Sequence, residues 1–173
     1  FNVDSLFADI NEYVYFQTHQ GHIVPITYHY TRSGWAVSDR RAILEFNWNT
    51  HKVLNDVQGV PWSMSIPDNA LDKLGYQLQI KLDLMAGLDN LVYQVADGGY
   101  LKEFQFTIEG EETIDTELGE VTAVIVKKQR SETDSRDSTL WFAKEWDYLL
   151  VKLIQKESDG ERYEINIQSV DEH

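Results

Sequence analysis

The sequence predicts a mainly β fold: a strongly curved antiparallel sheet, or an open or closed β-barrel, with one central α-helix packed on or in it. Three observations predict it. Apolar and polar residues alternate with a period of two along most of the chain, as in half-buried strands. Short turns rich in Gly, Asn, Asp and Ser separate these runs. Only the segment from Leu71 to Met85 is dominated by helix-forming residue types. At 173 residues the chain is the size of one domain, residues 1–173, and long enough to bury a real core.

Glu12 to Thr18 reads as a strand, and Gln20-Gly21 as the turn after it. His22 to Tyr30 is a second strand, with Val24, Ile26, Tyr28 and Tyr30 on one face. Pro25 lacks a ladder N–H, so the strand is expected at an edge or bulged there. Ser33-Gly34 turns the chain into a long strand from Ala36 to Trp48. Asn49-Thr50 leads to a short one, Lys52 to Val57, and the set is expected to form a meander. Pro61 to Pro67 reads as a break, with Asp68 or Asn69 placed to cap the helix that follows.

Leu71 to Met85 fits two periods. Tyr76, Leu78, Ile80, Leu82 and Leu84 alternate like a strand, while Leu71, Leu74, Leu78, Leu82 and Met85 make a helical stripe. Composition decides for the helix, since Ile80 is the only β-branched residue between Leu71 and Met85. A helix apolar on two sides is expected to be sandwiched or to plug something.

The second half continues in strands. Leu91 to Val95 and Tyr100 to Ile108 flank Asp97-Gly98-Gly99, a hairpin turn. A short strand follows at Glu112 to Asp115, then Val121 to Lys128, apolar on both faces at its centre. Gln129 to Ser138 is polar and reads as a loop. The ending reads as three antiparallel strands: Thr139 to Ala143, Leu149 to Glu157 and Arg162 to Val170. A bend at Lys144 to Asp147 and a turn at Ser158-Asp159-Gly160 join them, with Trp141 mid-strand and Trp146 at the bend.

Five stretches carry a resemblance, in order: "GHIVPITYHYTRSG" (21–34), "LEFNWNTHKV" (44–53), "IPDNALDKLGYQLQIKLDLMAG" (66–87), "IEGEETIDTELGEVTAVIV" (108–126) and "TLWFAKEWDYLLVKLIQKESDG" (139–160). Together they resemble a bacterial family catalogued as domain of unknown function 3108. These motifs are turns and aromatic anchors, so they specify a fold and are silent on chemistry. Two departures stand out: an N-terminal hairpin usual in the family is missing, and Leu150 replaces the proline after the Trp bend. The last 35 or so residues are also similar to lipoprotein carriers of the LolA/LolB type, open barrels with a helical lid. The resemblance implies an exported, periplasmic or other envelope protein of unknown activity. The chain begins at Phe1 without an initiator Met, which is expected of a mature or trimmed product.

The chemistry of the residues narrows the classes. A net charge of −14 repels phosphate backbones, so nucleic acid is not an expected partner. The absence of cysteine excludes disulfides and thiolate metal sites. No stretch has the length of an apolar membrane span. His19 and His22 straddle a turn, and His29 and His51 read as isolated strand residues, so no metal site is expected. Ser63, Ser65 and Ser138 lack a nucleophile elbow. The carboxylates Glu109, Glu111, Glu112, Asp134 and Asp137 read as solvated hairpin ends without calcium-loop spacing. No catalytic residue, cofactor or metal is assigned.

The aromatic residues are the informative signal: a thick hydrophobic core is the favoured reading of them, and a concave apolar pocket is the functional alternative. The leading expectation is a non-catalytic protein holding a lipid-like or amphipathic ligand in a barrel cavity lined by Leu78, Leu82, Phe104, Phe106 and Trp141. The alternatives are a scaffold docking an envelope protein through a sheet edge, and a carboxylate-dependent hydrolase of an envelope polymer. Oligomeric state is left open.

Overall fold

In a computed structural model the described residues are 2–4, 9–35, 37–130, 137–156 and 162–170. The protein is mainly β with one α-helix. The strands are β1 (Asn2–Asp4), β2 (Asp9–His19), β3 (His22–Ser33), β4 (Arg40–Asn47), β5 (Lys52–Val57), β6 (Val60–Ser65), β7 (Ala70–Leu71), β8 (Leu91–Asp97), β9 (Tyr100–Thr116), β10 (Gly119–Lys128), β11 (Asp137–Ala143), β12 (Leu149–Lys156) and β13 (Arg162–Asn166). The helix α1 is Gly75–Met85. A six-stranded sheet runs β1 to β6 in chain order, and a seven-stranded one runs β13 to β7, a curled half-barrel. The alternating sequence pattern thus becomes two meanders.

Backbone contacts divide the chain into two compact units, residues 1–79 with 93–103, and residues 80–92 with 104–173. In the first unit β2 and β3 pair from Asp9↔Ser33 to His19↔His22. Their turn, Gln20-Gly21, has positive φ at both residues, 51° and 81°, as a tight hairpin twisted like its strands requires. Proline is accommodated by a bulge: the register slips between Tyr15 and Phe16, so that Phe16 faces Pro25 and Ile26 is the extra residue. The slip resets the alternation. Ile23 and Pro25 are buried with Tyr28, whereas Ile26 is 40% exposed, so Val24 and Ile26 do not share the Tyr28 face. Nor is β3 an edge; it lies between β2 and β4. Its pairing with β4 covers only Thr27 to Arg32, which frees the Pro25 carbonyl to accept the Trp48 indole N–H at 2.7 Å. Tyr28, Leu44, Phe46, Val53, Ile66, Ala70 and Ala96 form this unit's core.

Two expectations fail next to this core. The break at Pro61 to Pro67 is in fact β6, paired along its length with β5. An edge strand tolerates a proline that donates to no ladder. The helix does not start after Pro67, and neither Asp68 nor Asn69 caps it. Residues 70–71 pair in parallel with β8, and a parallel pair needs a crossover, which α1 supplies. The cap is Asp72, whose Oδ1 accepts the N–H groups of Leu74 and Gly75, both at 2.8 Å. Asp68 instead meets His51 at 2.9 Å. His51 lies in the turn after β4, at φ 51°, not in a strand.

The hairpin of β8 and β9 turns at Gly98-Gly99, both with positive φ. A Cβ built on Gly99 would lie 1.8 Å from the Trp62 ring. Glycine is therefore needed here twice, for its conformation and for the close approach of the indole.

In the second unit β9 continues unbroken to Thr116, absorbing the separate strand expected at Glu112 to Asp115. It does so through a bulge: Ile125 faces Gly110 while Val126 faces Ile108, leaving Glu109 extra. A second bulge lies where β11 meets β12, between Trp141 and Phe142. Bulges bend and twist the strands that carry them. The three-strand ending forms as expected, β11 to β12 to β13. Its bend is a single 3-10 turn, Lys144–Trp146, followed by Asp147 and Tyr148 at φ 50° and 55°. The expected turn at 158–160, Asp134 and most of the expected loop at 129–138 lie outside the described residues, while Asp137 and Ser138 belong to β11.

Candidate functional site

Pairing across β10 assigns each residue of the second unit to a face, because directly opposed residues project the same way. Ala123 stands opposite Glu112 and Ala143, and Ile125 opposite Gly110 and Trp141. Val126 stands opposite Ile108 and Leu140, and Lys128 opposite Phe106. Trp141 therefore projects from one face, and Phe104, Phe106 and Lys128 from the other.

On the Trp141 face a small core gathers Val121, Ala123, Ala143 and Val151, with Trp146 and Ile167 packed against it. The Trp141 indole N–H donates to the Glu112 carboxylate, and Lys152 Nζ lies 5.3 Å from the ring centroid. Lys152 also bonds Glu164 at 3.0 Å and holds its carboxyl below the usual range. The two tryptophans of the ending thus belong to one packed cluster. Its polar groups satisfy each other.

The opposite face is different. Phe104 and Phe106 meet edge to face with centroids 6.5 Å apart. Val124, Val126, Leu140 and Phe142 are buried on the same face. In this apolar wall sits Lys128, only 5% exposed, with Nζ 3.4 Å from the Phe104 centroid. A cation over an aromatic face is attracted by the ring quadrupole, but burying it still costs hydration. Sequence reasoning passed over Lys128. The signal was present, since Lys128 keeps the phase of Val124 and Val126 in "VTAVIVKK".

The five residues expected to line a pocket are placed as follows. Phe104 and Phe106 come together, while Trp141 lies on the other face of their sheet. Leu78 and Leu82 are half-buried, one turn apart on α1. The deeply buried line of α1 is instead Tyr76, Ile80 and Leu84, with Gln79 beside it. Gln79 Oε1 accepts the Ile23 N–H at 2.8 Å and its Nε2 donates to the Gly21 carbonyl at 3.1 Å. One side chain thereby ties the helix to the β2–β3 hairpin.

The first unit holds a second polar constellation. Asp72 and Asn55 are fully buried and Tyr28 is nearly so. Asp72 Oδ2, Asn55 Oδ1 and the Tyr28 hydroxyl find no well-formed hydrogen bond among the described residues. Burial pushes the Asp72 carboxyl up to about 6, against the pull of the Gly75 and Leu74 N–H groups. Burial raises the Tyr28 hydroxyl as well, helped by Glu12, Asp72 and Asp97. Asp97 itself is paired with Lys102 at 2.7 Å. On the face of the first sheet opposite Tyr28, a cleft of about 610 Å³ opens among Glu45, Asn47, Asn49, Thr50 and Ser63, with Trp48 also in its lining. Among the described residues no three His, Asp or Glu side chains converge as metal ligands. Nor is any described helix long and apolar enough to cross a membrane.

A family model described as "Protein of unknown function (DUF3108)" matches residues 2–167. No curated protein matches the chain. Among solved structures, the fold is similar to a crystal structure of a beta-barrel-like protein of domain of unknown function DUF1849 from Brucella abortus. The TM-score is 0.59 at 7% identity, covering 93% of this chain and 72% of that one.

Proposed function

We propose that this chain, which belongs to the DUF3108 family of proteins of unknown function, is a non-catalytic binding protein of the bacterial envelope. Its ligand is amphipathic, with an apolar body against the Phe104 and Phe106 wall. The observation that carries the reading is the continuous apolar face formed by Phe104, Phe106, Val124, Val126, Leu140 and Phe142. An apolar lining of this kind suits the body of an amphipathic ligand. The similarity to a beta-barrel-like fold supports the reading at the level of architecture. Docking through a sheet edge is disfavoured at β6, where Pro61 interrupts the row of donors.

The test is titration of the wild-type chain with a fluorescent long-chain fatty acid, together with native mass spectrometry of gently purified protein. The expected result is saturable probe binding and a co-purified amphiphile. A wild-type chain that neither binds the probe nor retains an amphiphile overturns the reading. The export proposed here rests on the family resemblance and is checked by fractionating cells that express the natural gene.

A further inference from the structure

The face of the first sheet opposite Tyr28 carries an unusual surface for so acidic a chain. Register places two cross-strand rows side by side. One runs Tyr13, His29, Ile43, Asp56, Pro61, and the other Tyr15, Thr27, Glu45, Leu54, Ser63. At one end the aromatic rings are open to solvent: Tyr13 is 43% exposed and Tyr15 63%. Tyr13 stacks on His29 at 4.5 Å and meets Tyr15 edge to face at 5.8 Å. At the other end the second row enters the cleft, which Glu45, Leu54 and Ser63 help to line. With strands about 4.8 Å apart, Tyr15 to Ser63 spans roughly 19 Å.

The charge of this face separates the classes of occupant. Between the rows of Asn11 and Asn47 it carries Arg41 and Lys52 against Glu45 and Asp56, two of each sign. The net charge of −14 is therefore carried elsewhere. A polyanion gains nothing here and is repelled by the rest of the chain, and so is a second copy. What remains is exposed rings, hydroxyls and amides on a neutral ground. That combination suits an uncharged polyhydroxylated chain. Its C–H faces lie against the negative faces of aromatic rings, and its hydroxyls exchange hydrogen bonds with carboxylate, amide and hydroxyl groups.

We infer that this face binds a neutral linear glycan, stacked on Tyr13 and Tyr15 and hydrogen-bonded in the cleft by Glu45, Asn47 and Ser63. The site shares no residue with the Phe104 and Phe106 wall. The test is an NMR titration of the isotope-labelled full chain with chitohexaose and with cellohexaose, and with polygalacturonate as an anionic control. Expected are saturable shifts confined to β2–β6 for at least one neutral oligosaccharide, and none for the anion. Tyr15→Ala is expected to weaken binding by roughly tenfold, the loss of one ring contact, with an unchanged melting temperature. The inference is overturned if neither neutral oligosaccharide shifts these strands at millimolar concentration, or if Tyr15→Ala binds as well as wild type. It is equally overturned if sedimentation shows a dimer that Tyr15→Ala dissolves, since a second copy then occupies the face.

Discussion

Asp72 joins two roles that usually exclude each other. Its Oδ1 caps α1, while its fully buried Oδ2 is left without a well-formed bond among the described residues. The carboxyl is pushed from 3.8 to about 6. Between those values the folded chain holds a proton that the unfolded chain has lost, so this group lowers stability as pH rises through that window. Its full penalty, on the order of 3 kcal/mol by the shift alone, persists above about pH 6. Asp72→Asn keeps a capping oxygen and removes the titration. The difference in urea midpoint between variant and wild type is expected to grow from pH 4 to pH 7. A pH-independent difference would show that the carboxyl titrates normally. Gly99 is the other residue with a sharp expectation. Gly99→Ala must place a methyl where Trp62 lies and hold φ at 85°, at a cost of about 2 kcal/mol or more. Gly98→Ala meets open space at φ 61° and is expected to cost only about 1 kcal/mol. Thermal melts of the pair give the comparison, with equal losses counting against the Trp62 contact.

At the scale of elements, α1 is held by specific polar bonds as well as by its apolar line. Gln79→Leu leaves the Ile23 N–H and the Gly21 carbonyl without their partner. The loss is expected to be roughly 2 to 3 kcal/mol despite the added apolar volume. Amide exchange should show it as faster opening at Ile23, and unchanged protection there would mean that the hairpin is held without the helix. Most elements were legible as sequence. Alternation located the strands and residue type located the helix, because both are local properties of the chain. Two of the errors share one cause. Ile26 and Glu109 sit at bulges, and a bulge is set by the partner strand's register, which the strand's own sequence does not contain. The short pairing of Ala70–Leu71 with β8 is likewise long-range, so it overrode an apolar pattern that read as helix.

At the scale of the whole molecule, the boundary between the two compact units falls inside α1, β8 and β9, not in a linker. Neither unit can unfold without breaking elements continued in the other, so a single cooperative transition is expected. Variants reporting through Trp48 or Trp62 in one unit and through Trp141 or Trp146 in the other should give the same denaturant midpoint. Separated midpoints would mean two independent folding units. The candidate site was legible only in part. Phe104 and Phe106 were marked by spacing, and they meet. Trp141, marked by the same aromatic signal, lies on the opposite face, because a count of strands does not reveal which pairs oppose one another.

The sequence by itself determined the class of fold, the meander order, the position of the helix and the exclusion of cysteine chemistry. Each follows from local periodicity, residue type and composition. Only the tertiary structure decided which face each side chain occupies, that Lys128 lies against Phe104, that Asp72 is the buried cap, and that exposed tyrosines share a neutral face with a cleft. Those depend on register and burial, which arise when distant strands pair and one residue of slip exchanges the faces of a strand.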